Sequence, residues 1–496
     1  MAIDADKPQS PGWWLARLGY AILNERADEV RTDWRGHPEV VPGLDRLKAY
    51  AEGRAPLPQV PGVDPSEAMD WMNDARTNWC SLVIDSPVER LGVDGFRFGE
   101  TSDADDEANR IWQENGMDAE SEIVHYGALS QRRHFVLVEK DTSGRPRILQ
   151  KSTRQVAVAR DPHDHRKLAA GLYIFVDEWT GESRAKLWTP GEVHEFVSPV
   201  SELAFPLRAA RLDSWDLWTL PSGRAIDSKN DLGAVPLIPF VNRRNRRAGG
   251  FAEHEDSLSI QNRINSGLIQ LMAAGRYGAF RQRFATGLEV DEDPVTGERI
   301  APFKLDIKTL WTTDNPEVNF GEFAATDLRP YVAAIDSAVQ DLAAISKTPP
   351  HYLLGQVVNV SGDALKAAET GLASKVKSKK REFGESWEQV MRLAFQVLND
   401  PRADVVNAET IWADSESRTV SELADAAVKK RAAGVPWRQR MEDMGYTPTQ
   451  IDRMEVDRAQ DSMMESPDPA QPPAAPQPPT DPRAVIGRAT DIPQAA

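Results

Sequence analysis

A single cysteine, Cys80, in 496 residues leaves no intrachain disulfide possible and excludes a cysteine-rich metal site. Its neighbours Trp79, Leu82 and Val83 make it a buried, inert thiol. No apolar run reaches the ~18 residues that a membrane span needs. The densest N-terminal stretch, Trp13–Leu23, follows Asp4 and Asp6 and is broken by Arg17, which makes a poor secretory signal. It reads better as a helix packed on the body or on a neighbouring copy. Positive charge is also short: Lys and Arg number 59 against 76 Asp and Glu, a net charge of −17. Neutralised phosphates supply most of the affinity of duplex-gripping proteins, so this balance excludes a tight nucleic-acid clamp. The chain contains no GxxxxGK[ST], GxSxG, HExxH, dinucleotide fingerprint or EF-hand loop, so no common ATPase, hydrolase, metalloprotease or oxidoreductase site is written in it. His163 and His165 sit in a DPHDHR turn with no third ligand in view, which reads as a solvated loop and not a metal site. No cofactor is expected.

Length allows about three domains at ~150 residues each. Residues 1–130 read as mostly helical, with short helices punctuated by Pro38–Gly43 and Pro56–Pro65, and a better amphipathic helix over Pro65–Leu82. The acidic DADDE at 103–107 reads as a solvated loop. From Phe135 to Val197 the pattern turns to β. RHFVLVEK, RQVAVAR, LAAGLYIFV, AKLWT and EVHEFV are separated by turn-rich segments, as in an antiparallel meander of about five strands carrying Tyr173, Trp179 and Trp188.

A helix is expected over about 253–276, with Leu258, Ile264, Leu268 and Leu271 or Met272 on one face. Residues 281–325 form a small β-containing insertion with five basic and nine acidic residues. In the next helix Leu328, Val332, Ile335, Val339 and Leu342 make an apolar stripe that Pro349 and Pro350 end. The loop HYLLGQVVNVSG then carries no Asp, Glu, Lys or Arg, and Ser361 or Asp363 can cap a helix of some ten turns reaching Leu398. Three short helices follow, and nine prolines beyond Gln460 give a tail that cannot bury a core.

Two basic groups stand out. Arg243, Arg244, Arg246 and Arg247 form a compact patch that is either an exposed turn, a set of intersubunit partners or a contact for DNA phosphate. Lys375, Lys377, Lys379, Lys380 and Arg381 spread around the long helix, where a solvated face is the ordinary reading. Salt bridges to a neighbouring subunit, or phosphate contacts, through residues such as Lys375 and Lys379 are the alternatives. Exposed Leu353, Leu354, Val357, Val358 and Val360 would promote aggregation of a monomer but make sense where copies close a ring; the alternative is a loop folded into its own subunit's core.

The run SKTPPHYLLGQ…VSGDALKAAETGLASKVKSKKREFGESWEQVMRLAF resembles the tunnel loop and spine helix of tailed-phage portal proteins. VPLIPFVNRRNRRAGGFAEHEDSLSIQNRINSGLIQLMAAGRYGAFRQRFATGLE is similar to the portal segment leading from the wing into the first stem helix, and NWCSLVIDSPVERLGVDGFRF with Trp112–Val138 resembles the wing in phages of actinobacterial hosts. These segments cover roughly residues 70–460 in the family's order. The resemblance implies an α+β portal fold: a mixed wing over 1–250, stem helices over 251–280 and 326–350, and a clip over 281–325 between them. It further implies a tunnel loop over 351–362, a spine helix over 363–399, a crown over 400–460 and a Pro-rich tail over 461–496. The loop residues Tyr352, Leu353, Leu354, Gln356, Val357, Val358, Asn359, Val360 and Ser361 would line a DNA channel, and Asp291, Glu292, Asp293 and Glu298 would dock partners at the clip. The implied protein is no enzyme. It would be a homo-oligomer, a dodecamer, at a capsid vertex of the virion, assembled in the host cytoplasm without a membrane. Its implied partners are double-stranded DNA, the terminase large subunit, head-completion proteins, and the major capsid and scaffolding proteins. A minor capsid or adaptor protein without a channel is the other class the sequence leaves open, and an enzyme with an unlisted site the weaker third.

Overall fold

In the computed structural model the described residues are 6–32, 35–57, 69, 72–99, 104–198, 215–217, 227–279, 283–287, 316–322, 326–354, 362–414 and 420–464. Near the N-terminus, helix α1 (Pro11–Arg26) starts where the Ser10 side chain accepts the Trp13 N–H at 3.2 Å. Its Leu15, Leu18 and Ile22 pack under a sheet on Ala157, Leu172, Ile174 and Leu187, so the Trp13–Leu23 stretch is a packed helix. Strands β1 (Glu29–Thr32) and β2 (Pro38–Val41) form a hairpin before α2 (Leu44–Ala51); within the helix expected over Pro65–Leu82 the described residues 69 and 72–74 are helical, the chain breaks at 76–78, and α3 (Trp79–Val88) follows. The Cys80 thiol is buried in its own protomer and burial pushes its pKa up to about 12, as the inert reading requires.

The β-rich region holds six consecutive strands, but they divide between two antiparallel sheets and do not form one meander. Strand β4 (Arg133–Lys140) pairs on one side with β5 (Pro146–Lys151) and on the other with the later β12 (Leu237–Val241). Strands β6 (Val156–Arg160), β7 (Leu168–Val176), β8 (Ser183–Trp188) and β9 (Glu192–Ser198) form the other sheet, extended by β10 (Asp216–Leu217) and β11 (Asp227–Lys229). Side-chain alternation accounts for the split: Phe135, Leu137 and Leu237 on one sheet face Val156, Trp188 and Val193 on the other, making a core between them.

Helix α6 (Leu258–Ala279) and helix α7 (Arg329–Ser346) run antiparallel. Gly267 permits the approach, since a Cβ there would lie 2.9 Å from Ile335 Cγ1. Strands β13 (Arg283–Thr286) and β14 (Asn319–Glu322) pair between the helices, so the small β insertion is present as a hairpin base. After a one-turn helix α8 (Pro350–Leu354) comes α9 (Gly362–Val397), 36 residues long. Its Trp387, fully buried, meets Trp112 at 4.9 Å and Phe240 at 4.5 Å between ring centroids, both edge-on. Such pairs are worth ~0.5–1.5 kcal/mol beyond the area they bury.

The C-terminal region holds the three expected short helices, α10 (Val420–Ala432), α11 (Trp437–Glu442) and α12 (Pro448–Met464). It also contains a strand, β15 (Ala408–Trp412), paired with β3 (Val93–Phe98) from the N-terminal part. The supposed solvated DADDE loop is likewise recruited. Asp105 caps α4 (Asp106–Glu114) through the Ala108 N–H at 2.9 Å, and both its carboxylate oxygens accept from Arg402 Nη1 at 2.8 and 2.9 Å.

Candidate functional site

The segment linking α7 to α9 is the candidate site, and its supports start with a helix end. Lys347 adopts a left-handed conformation at the C-cap of α7, and Thr348 N–H returns to the Ala343 carbonyl at 3.1 Å. Pro349 and Pro350 redirect the chain into α8, whose Leu353 is only 4% exposed among Val83, Ile260, Ile264 and Leu342. The Tyr352 hydroxyl accepts Arg90 Nη2 at 2.7 Å and donates to Glu369 Oε1 at 3.4 Å, while Arg90 and Glu369 are 3.6 Å apart. His351 Nε2 lies 3.9 Å from the same carboxylate. The expectation that the loop is exposed from Tyr352 onward is therefore corrected. Leu353 is a core anchor, because the prolines turn it back onto the cleft between α3, α6 and α7. Leu354 ends α8, and Gln356, Val357, Val358, Asn359, Val360 and Ser361 lie outside the described residues. Only seven positions, 355–361, separate Leu354 from Gly362, and fully extended they span at most about 25 Å.

A buried ion cluster sits against the last turn of α7. The Glu253 carboxylate is wholly inaccessible and meets Arg243 Nη2 at 2.6 Å, Lys375 Nζ at 3.2 Å and Lys379 Nζ at 3.1 Å. Lys375 also donates to the Ser346 carbonyl at 2.7 Å, and Lys379 to Asn242 Oδ1. Asn242 Nδ2 completes the carboxylate's partners at 3.3 Å. Burial alone would raise the Glu253 pKa, but the three cations overcome it and hold the carboxyl well below its usual range. The two lysines are lowered, chiefly by burial, with Glu253 opposing the shift. Four segments meet at this point: the end of β12, the approach to α6, the last turn of α7 and the middle of α9. Gly250 makes the turn between Arg243 and Glu253 possible. Its φ is +91°, and a Cβ would lie 2.3 Å from the Arg132 carbonyl oxygen.

This geometry revises both basic groups. Lys375 and Lys379 are not on a solvated face and cannot reach a neighbouring subunit or DNA, because the i, i+4 spacing aims both into the protomer at Glu253. Arg243 is committed to the same carboxylate. Arg246 pairs with Asp256 and lies 4.0 Å above the Phe251 ring, and Arg247 reaches Glu255 at 3.0 Å. Glu255 also takes Arg132 at 3.0 Å. Arg244 alone of the four is exposed without a carboxylate in ion-pairing range among the described residues. Along the long helix Lys377 and Arg381 are exposed, and Lys380 donates to the Ala413 carbonyl at 2.5 Å.

Sequence reasoning missed Glu253, Arg90, Glu369 and Asp105. Only Glu253 left a signal: an acidic residue following apolar Ala252 just before a helical apolar pattern begins. Asp291, Glu292, Asp293 and Glu298 lie outside the described residues. Among the described residues no group of three metal-ligating side chains occurs, and no helix is long and apolar enough to cross a membrane.

On α7 the exposed side carries Val332, Ala333, Ala334, Ser337, Gln340, Ala344 and Ile345 with Asp336 and Asp341. No Lys or Arg occurs between Pro330 and Ser346. Within one protomer Val332 of the apolar stripe is about half exposed, as is Ile345 near the C-terminal end of α7. The family model described as "Phage portal protein, SPP1 Gp6-like" matches residues 63–442. The chain is 28% identical over 400 residues to the portal protein of Mycobacterium phage D29, covering 77% of this chain and 78% of that one. The portal protein of Mycobacterium phage L5 matches at the same identity and coverage.

Proposed function

Because this chain belongs to the phage portal protein family, SPP1 Gp6-like, a family of structural virion components, we propose that its copies close into a dodecameric ring at one capsid vertex. Viral DNA is packaged and later ejected through the hole of that ring. The observation that carries this reading is the order of parts around one short loop. Two antiparallel helices are joined by a β hairpin, and a seven-residue link then leads into a 36-residue helix, with the start of the link anchored by the buried Leu353 and the Tyr352–Glu369 hydrogen bond. A pocket enzyme has no use for that arrangement. A ring does, since it needs rigid rods and a short projecting loop whose position repeats identically in every copy.

In this reading α6 and α7 are the stem, β13–β14 the base of the clip, residues 355–361 the tunnel loop, α9 the spine and α10–α12 part of the crown. The half-exposed Val332 of α7 packs on the next protomer. Uncharged positions at 355–361 let polyphosphate slide, and beyond Arg329 in its first turn the exposed side of α7 carries only Asp336 and Asp341 as charges. A lysine there would be repeated in every copy, and affinity compounds with each phosphate neutralised. The acidic clip docks the terminase during packaging and head-completion proteins afterwards through their basic patches, while the wing meets capsid and scaffolding proteins. Since the chain has no phosphate-cradling motif, the terminase supplies ATP hydrolysis. Light scattering on the purified protein tests ring closure. A mass near twelve chains supports the reading, and monomers alone over a wide concentration range, with or without scaffolding protein, overturn it.

A further inference from the structure

Between the two wing sheets lies a cleft of about 260 Å³, lined on one side by β4–β5 and on the other by β7–β9. Its floor is aromatic. The Tyr173 and Phe175 rings stack with centroids 4.9 Å apart and planes 16° from parallel. Lys151 Nζ stands 4.6 Å over the Tyr173 ring and 3.3 Å from its hydroxyl. The other cations at the cleft have carboxylate partners: Lys186 reaches Glu139 at 3.2 Å, and Arg184 reaches Asp177 at 3.2 Å. Lys151 is half-buried, with no carboxylate within ion-pairing distance among the described residues. A partly desolvated ammonium above stacked rings calls for an anionic group carried on a flat apolar one.

We propose that this cleft docks the proline-rich segment 465–482 of the chain itself, from the same copy or the next one in an assembly. The proposal is independent of the channel reading. The segment ESPDPAQPPAAPQPPTDP holds eight prolines, Glu465, Asp468 and Asp481, and no Lys or Arg, on a chain whose net charge is −17. Proline rings are recognised by aromatic-lined grooves, and a proline-rich peptide has little conformational freedom to lose on docking. Its carboxylates complement Lys151. The cleft is smaller than the ~300–1,000 Å³ typical of small-molecule sites, so it suits one or two side chains of a peptide better than a free ligand. The segment follows Met464 directly, and at the ~3.1 Å per residue of an extended proline helix its eighteen residues can bridge at most about 56 Å.

The test uses the full-length chain with Ala484→Cys, just beyond the docking segment, labelled with a fluorophore. Cys80 is buried and its thiol pKa is raised, so it stays unlabelled. The dye's anisotropy should fall by roughly half, toward that of a freely moving tail, on Lys151→Glu and on Tyr173→Ala. The same fall should follow addition of unlabelled synthetic peptide 465–482 at ~10 mM, above the ~mM effective concentration of a tethered segment. The competition arm involves no cleft variant and so is immune to misfolding. Anisotropy that is already low in the parent, or that is unmoved by both substitutions and by the peptide, overturns the proposal.

Discussion

Replacing Glu253 with Gln strips the countercharge from three buried cations while keeping the side chain's volume. In the parent, Arg243, Lys375 and Lys379 share one inaccessible carboxylate at 2.6, 3.2 and 3.1 Å. Breaking a buried ion pair from one side typically costs ~3–5 kcal/mol, because the uncompensated charge remains in a poorly solvated place. The destabilisation expected for Glu253→Gln is in that range, read as a lower urea midpoint by tryptophan fluorescence, with Trp387 in the core as the reporter. Substituting the lysines as well, as Glu253→Gln/Lys375→Met/Lys379→Met, removes most of the stranded charge and should recover much of the loss, a coupling that independent sites do not show. A pH series sharpens the test. The Glu253 pKa is depressed in the folded state, so its contribution is present above the unfolded carboxylate value of ~4.3 and is lost as pH falls below it. The gap between parent and Glu253→Gln should therefore narrow from pH 7 toward pH 3. A cost below ~1 kcal/mol, or a triple variant worse than the single one, would refute the assignment of the cluster as a brace against the last turn of α7.

Other consequences can be measured alongside. Leu353→Ala should cost ~2–5 kcal/mol, since it empties a packed site between α3, α6 and α7, and an unchanged urea midpoint would return Leu353 to the exposed loop. His125, His134 and His254 are buried, and burial lowers their pKa values to about 3, about 4 and about 4. Their unfolded value is ~6.5, so stability should fall as pH drops from there toward 4, and His125→Gln should flatten that slope in a pH series of urea midpoints. Asn359→Lys should slow DNA packaging by adding a phosphate-binding charge to every copy, with the defect relieved at higher salt. Equal packaging rates for parent and variant would remove the sliding argument.

What the sequence carries legibly is periodic and local. Helices α6 and α7, the long helix α9 and the three last short helices are readable from apolar spacing and proline or glycine stops, to within a few residues at their ends. What it hid depends on pairing over long separations. Nothing local distinguishes Lys375 and Lys379 from the exposed Lys377, because only the fold brings Glu253 to the face that the first two share. Strand β15 is five residues long and is specified by its partner β3, which precedes it by hundreds of residues. Likewise the division of six strands into two sheets follows from β12 returning to pair with β4. The uncharged composition of HYLLGQVVNVSG was visible, whereas the inward turn of Tyr352 and Leu353 depended on Arg90, Glu369 and a hydrophobic recess supplied from elsewhere in the chain.

The most direct test of a channel rimmed by residues 355–361 is a cryo-electron-microscopy reconstruction of the assembled protein. The account predicts a closed ring in which Gln356, Asn359 and their neighbours form the constriction nearest the symmetry axis, with Glu253 and its three cations buried in each protomer. A ring whose narrowest point is built from other residues, or a map placing 355–361 at the periphery, would contradict it.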